Sequence, residues 1–154
     1  MKHTRGFTII ELLVTTVLIA ILSSVGFISY RNATAQANDT KRKHDIEQIR
    51  AALELYRNEH GYYPPSGACT TTCSYATIAT TLTDLQTEGF ISALPEDPSD
   101  NTNKPYVYQS LNYLTSHHYG YCVATKLDTD PSQTTSCAAY VSGSNTYNYK
   151  MTQP

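Results

Sequence analysis

The sequence predicts an α+β fold. A long N-terminal α-helix has a membrane-spanning first half, and its second half packs on a small antiparallel β-sheet. Three observations predict this. Residues Leu12 to Tyr30 carry no charged side chain. No proline interrupts the chain between Leu12 and His60. Beyond Gly61 the chain turns rich in Tyr, Thr, Ser and Asn, which favour strands and polar turns over helix. The 154 residues suit one modest domain plus an anchor, and a formal net charge of -2 gives no global basic signal for nucleic acid. The expected divisions are 1–6, a short basic leader; 7–30, the membrane helix; 31–60, its amphipathic continuation; and 61–154, a β-rich globular domain.

A helix of roughly 20 apolar residues crosses a bilayer, and Leu12 to Tyr30 is about that long. Three readings of this segment compete. It is a cleaved secretory signal with a weak site at Ser23-Ser24-Val25-Gly26, an uncleaved anchor, or a segment exposed by a cut between Gly6 and Phe7. Lys2 and Arg5 favour a cytoplasmic N-terminus, whereas Arg31 and Lys41-Arg42-Lys43 pull the other way. Glu11 stands at the front of the run. A carboxylate there is costly in lipid and calls for a partner; alternatively it is a helix-end acid favoured by the dipole.

Past Tyr30 the pattern becomes amphipathic. Ile46, Ile49, Leu53 and Tyr56 fall on one helical face. Lys41, Arg42, Lys43, Asp45, Glu47, Arg50, Glu54 and Arg57 are expected on the others, with Asp39–Lys43, Lys43–Glu47 and Arg50–Glu54 spaced to pair across a turn. Lys41-Arg42-Lys43 is read as a solvated face or a contact for headgroups or an acidic neighbour. Gly61 and Pro64-Pro65 end the helix. Gly26 is the expected flex point, and a break at Asn38-Asp39, with Asp39 as an N-cap, is the alternative to one continuous helix.

In the remainder, Ile78, Leu82 and Leu85 predict a short helix between Ala76 and Gly89. Strands are expected at Pro105–Asn112, Tyr119–Lys126, Cys137–Val141 and Tyr147–Met151. Tyr106, Tyr108, Tyr119 and Tyr121 alternate as in a half-buried antiparallel sheet. His117-His118 reads as a solvated turn. Cys69, Cys73, Cys122 and Cys137 all follow the apolar run, and an even number in a polar region predicts disulfides in an oxidising space. That places residues 31–154 outside the cytoplasm. Proximity favours Cys69–Cys73 with Cys122–Cys137 among three possible pairings, and zinc is a competing reading. No nucleophile, phosphate loop or pair of catalytic acids is recognisable, so the chain is not expected to be an enzyme.

Gly6-Phe7-Thr8-Ile9-Ile10-Glu11-Leu12-Leu13-Val14 closely resembles the N-terminal motif of type IV pilins and of the pseudopilins of type II secretion. Asp45-Ile46-Glu47-Gln48-Ile49, Gly61-Tyr62-Tyr63-Pro64, Leu94-Pro95-Glu96-Asp97-Pro98 and Pro105-Tyr106-Val107-Tyr108 extend the similarity to about residue 108. The resemblance implies cleavage by a prepilin peptidase after Gly6, N-methylation of Phe7, and pairing of Glu11 with the N-terminal amine of a neighbouring subunit. It implies a single-pass precursor in the bacterial inner membrane, an inner-membrane assembly platform, and a homo-oligomeric filament with other pilin-like subunits at the surface or in the periplasm. The primary expectation is a type IV pilus subunit; the alternatives are a secretion pseudopilin or a membrane-tethered binding domain. Because major pseudopilins bind calcium in C-terminal loops, Asp97, Asp100, Asn101 and Asn103, and separately Asp128 and Asp130, become calcium candidates, with solvated turns as the competing reading. Two departures stand out. The membrane half lacks the proline common in pilins, and the cysteines do not form the single C-terminal bridge of many adhesive pilins.

Overall fold

A computed structural model describes residues 6–66, 74–99, 105–114, 117–129, 141–142, 145–147 and 149–153. The chain divides into two compact units, Met1–Gln36 and Ala37–Pro154. Helix α1, Ile9–His60, begins in the first and ends in the second. It is helical through Asn38-Asp39, so the expected alternative of two helices does not hold.

In the first unit the helix presents apolar side chains on every face, and all its large hydrophobic residues are exposed. The segment is long and apolar enough to cross a membrane. Three of its polar residues are satisfied locally. The hydroxyls of Thr15, Thr16 and Ser24 donate to the carbonyls of Leu12, Leu13 and Ile21 at 2.9, 2.9 and 2.7 Å, one turn back along the same helix. Gly26 remains helical, and a Cβ added there would meet nothing within 4 Å.

In the second unit α1 buries one stripe: Ile46, Ile49, Ala52, Leu53 and Tyr56. The expected apolar face is therefore the core face. The helix ends where Gly61 takes a φ of 81° and donates its N–H to the Arg57 carbonyl at 2.7 Å, a left-handed cap that a side chain would strain. Strand β1 (Ala76–Thr77) leads into the short helices α2 (Ile78–Thr81) and α3 (Thr83–Thr87). They replace the single short helix expected between Ala76 and Gly89, while Gly89, also at positive φ, ends the segment as expected.

Strands β2 (Val107–Leu114), β3 (His117–Thr125) and β6 (Tyr149–Gln153) complete an antiparallel sheet in the order β1-β2-β3-β6. β4 (Val141–Ser142) and β5 (Asn145–Thr146) pair separately. Tyr108 stands opposite Val123, and Ser110 opposite Tyr121. The alternation places Tyr106, Tyr108, Tyr121 and Val123 in one cluster with the α1 stripe. The other face is not simply solvated. Val107, Ala124 and Tyr147 form a second cluster with Tyr75 beside it, which the expectation of a half-buried sheet missed.

His118 corrects another expectation. Together with His117 it opens β3 rather than forming a solvated turn, and its side chain is buried. Its carbonyl accepts the Tyr63 N–H at 2.8 Å, which fastens the chain leaving α1 to the sheet.

Candidate functional site

Two sets of polar residues stand out, one in each unit. The first is at the start of α1. Thr8 is the residue before the first helical position, and its Oγ1 accepts the N–H of Glu11 at 3.3 Å. Glu11 reaches back, and its Oε2 accepts the Thr8 N–H at 2.9 Å and the Thr8 hydroxyl at 2.6 Å. This is a reciprocal capping box, Thr-x-x-Glu, which satisfies donors that the helix itself leaves open. All three groups are exposed. Both bonds to the carboxylate fall on Oε2. The pattern Thr8-Ile9-Ile10-Glu11 is a capping signal in the sequence, and it bears on the reading of Glu11 as a helix-end acid, which rests on the dipole alone. Phe7, Ile10, Val14 and Thr15 line a shallow groove beside Glu11. Gly6 and Phe7 precede the helix in open chain, and no heavy atom lies within 4 Å of a Cβ built on Gly6.

The second set centres on Arg42, which is fully buried. The sequence reading takes Arg42 as part of a solvated face or of a contact for headgroups or an acidic neighbour; the structure instead buries it among acids of its own chain. Its Nε and Nη2 donate to the two oxygens of Asp97 at 2.7 and 3.1 Å. Its Nη1 donates to Asp39 at 2.7 Å and to Asp128 at 2.9 Å, and Nη2 also donates to the Ser99 hydroxyl at 2.6 Å. A planar guanidinium suits this arrangement because its donors form a rigid fork that a carboxylate can accept twice.

Asp39 is not an N-cap of α1. Its carboxylate instead accepts the backbone N–H groups of Asp128 and Thr129 at 2.9 and 2.8 Å and the Thr129 hydroxyl at 2.6 Å. Burial pushes the Asp39 carboxyl upward. The hydrogen bonds from Thr129, Asp128 and Arg42 outweigh it and hold the group below the ordinary carboxylate range. Burial disfavours the charged guanidinium of Arg42, but its bonds to Asp97, Asp128 and Asp39 more than compensate and hold it protonated.

The predicted helix pairs also rearrange. Asp39 pairs with Arg42, three residues on, and Arg50 with Glu47 at 3.4 Å. Lys43 lies over the Tyr149 ring at 5.6 Å. Glu54 accepts the hydroxyls of Tyr63 and Tyr121. Asp45, expected in solvent, is buried and accepts the Tyr106 hydroxyl at 2.7 Å. Burial, reinforced by that acceptor, pushes the Tyr106 phenol well above its usual range.

Of the calcium candidates, Asp97 and Asp128 come together, but around the guanidinium. Calcium takes six to eight oxygens at about 2.3–2.6 Å. Here both Asp97 oxygens and both Asp39 oxygens already accept hydrogen bonds, and a second cation at their centre would face Arg42. The arrangement of Asp97 and Asp128 therefore does not fit that ion. Asp100, Asn101, Asn103 and Asp130 lie outside the described residues. So do Cys69, Cys73 and Cys137. Cys122 is disulfide-bonded, and its Sγ lies 3.2 Å from the Tyr75 hydroxyl.

Two family models match adjoining parts of the chain. The prokaryotic N-terminal methylation motif matches residues 1–27. The type II secretion system protein G family matches residues 29–133. The type II secretion system core protein G of Escherichia coli is 30% identical over 98 residues, covering 63% of this chain and 68% of the relative. Its Pseudomonas aeruginosa counterpart is 31% identical over 108 residues, covering 70% and 74%. The prepilin peptidase-dependent protein D of Escherichia coli is 43% identical over 61 residues, covering 40% of this chain and 42% of that relative. No solved structure matches the chain. The protein G match covers most of the sequence and joins the methylation motif at its N-terminal side, so the chain belongs to the type II secretion system protein G family of pilin-like proteins.

Proposed function

We propose that the chain is a pilin-like structural subunit, and specifically a pseudopilin of a type II secretion filament rather than a surface pilus subunit. The observation that carries this reading is the pairing of an N-terminal methylation motif over residues 1–27 with the protein G match over residues 29–133. Two structural features support it. The first unit exposes a largely apolar helix surface, and the second carries its own core. The partial match to a prepilin peptidase-dependent protein keeps the pilus reading as the second one.

In this proposal a prepilin peptidase cuts after Gly6 and the new N-terminal Phe7 is methylated. The leader takes Lys2 and Arg5 with it, which leaves the mature chain more acidic. The precursor waits in the inner membrane as a single span, and the assembly platform draws it into a periplasmic filament with its copies and other pilin-like subunits. Transfer from lipid to filament moves the helix between two apolar surroundings. The chain acts as the substrate of an enzyme and not as an enzyme.

Glu11 is the assembly residue. Oε2 stays with Thr8, and Oε1 receives the Phe7 amine of a neighbour, which fixes the axial step between subunits. The mass of the mature chain tests the processing: loss of Met1–Gly6 with one added methyl group is expected, and an intact leader overturns it. Glu11→Ala is expected to abolish filaments while membrane insertion and the folded second unit persist. Filaments of normal yield and spacing from that variant would overturn the pairing.

A further inference from the structure

We infer that the Arg42 guanidinium stands in this chain where a divalent cation would otherwise be needed, fastening α1 to the 97–99 and 128–129 segments so that the second unit holds its shape without metal. The inference does not depend on the filament reading.

Three carboxylates from distant parts of the sequence meet at one point. Asp39 comes from α1, Asp97 lies 55 residues from Arg42, and Asp128 lies 86 residues from it. Left alone, three such groups would repel one another, and burying Asp39 and Asp97 would be costly; Asp128 meets them from the exposed edge. Something positive has to hold them. Arg42 does so from inside the same helix, with contacts from Nε, Nη1 and Nη2 that reach all three acids and Ser99.

One guanidinium does not balance three carboxylates, and backbone dipoles supply the remainder. The N–H groups of Asp128 and Thr129 point at Asp39, and that of Ser99 points at Asp97 at 2.9 Å. Such N–H groups stabilise anionic oxygens without adding a formal charge. The result is a cation site whose cation is covalently part of the chain. A metal ion binds in competition with protons and chelators, whereas an arginine stays charged and cannot be withdrawn.

The test uses the full chain in detergent micelles, followed by near-ultraviolet circular dichroism on heating. The parent chain is expected to melt at the same temperature, within about 2 °C, in EDTA and in excess calcium chloride. A clear fall in EDTA would overturn the inference. Arg42→Gln removes the charge and leaves the carboxylates facing one another. In EDTA it should melt on the order of 10 °C lower than the parent. Calcium chloride should recover much of that loss, because the vacated centre then offers clustered oxygens to a hard cation. If calcium leaves this variant unmoved, or if the variant loses no stability, the assignment is wrong. Arg42→Lys keeps one charge but not the fork, and should fall between the two; parity with the parent would overturn the geometric argument.

Discussion

Two parts of one helix solve opposite problems. From Leu12 to Tyr30 the large apolar side chains are exposed, and the hydroxyls of Thr15, Thr16 and Ser24 are turned back onto their own backbone. From Asp39 to Tyr56 one face is buried, and that face includes two acids and an arginine as well as Ile46, Ile49 and Leu53. The first part leaves its hydrophobic surface for other molecules to cover. The second satisfies every buried charge named above within its own unit. Helix formation is common to both; what differs is where the surface energy is settled, between molecules in one case and within the molecule in the other.

The contrast can be broken most severely in the core. Leu53→Ala removes a fully buried side chain and should cost about 2–5 kcal/mol of stability in the second unit. Leu18→Ala deletes the same atoms from an exposed position and should leave the melting of that unit unchanged. Thermal denaturation of both variants reads the difference directly, and equal losses would contradict it.

Tyr106→Phe is the next largest change. It removes the hydroxyl that donates to buried Asp45, leaving a carboxylate without that donor. A loss of about 1–3 kcal/mol is expected in urea denaturation, and Asp45→Asn in the same background should return part of it.

Acid should separate the two parts as well. Asp39 is held below its usual pKa, so its stabilising contribution is complete above the unfolded-state value of about 4 and is lost as pH falls through the lower folded value. Burial lowers the pKa of His118, so the neutral imidazole is the folded form. Stability from that preference is present above about pH 6.5 and declines as pH drops through the folded value. Melting of the second unit should therefore weaken in two stages, first below about pH 6.5 and again below about pH 4. His118→Phe should remove the first stage, and a persistent first stage in that variant would reassign it to another group.

Gly26→Ala should have the smallest effect. Nothing crowds the position within the subunit, so the substitution should raise local helix stability by about 1 kcal/mol without disturbing the fold. Helicity by far-ultraviolet circular dichroism in micelles checks this.

Much of the architecture was legible because it rests on periodicity. The spacing of Ile46, Ile49, Leu53 and Tyr56 located the core face, and Gly61 and Gly89 marked helix ends through the backbone conformations they permit. The motif around Gly6, Phe7 and Glu11 identifies the family from sequence alone. Arg42 and Asp45 were misplaced because a charged residue in an amphipathic pattern is ordinarily solvated, and their partners lie far along the chain in segments without periodicity. Asp39 differs for a related reason: neither the pairing with Lys43 nor the alternative of an N-cap looks beyond its own helix, whereas its carboxylate binds Arg42 and the backbone of a distant turn. His118 shows the limit of residue-type arguments. The same dipeptide serves a turn or a strand, and only the register with β2 and the bridge to Tyr63 decide.

Tyr63 carries a consequence of its own. Its hydroxyl accepts from Arg57 and donates to Glu54, both on the last turns of α1, while its backbone N–H is held by β3. The end of α1 thus has no independent route to fraying. Unwinding it would strip a donor from Glu54 and detach the first residues of β3 in the same event. Amide exchange across both segments should then follow a single opening rate, as one cooperative unit.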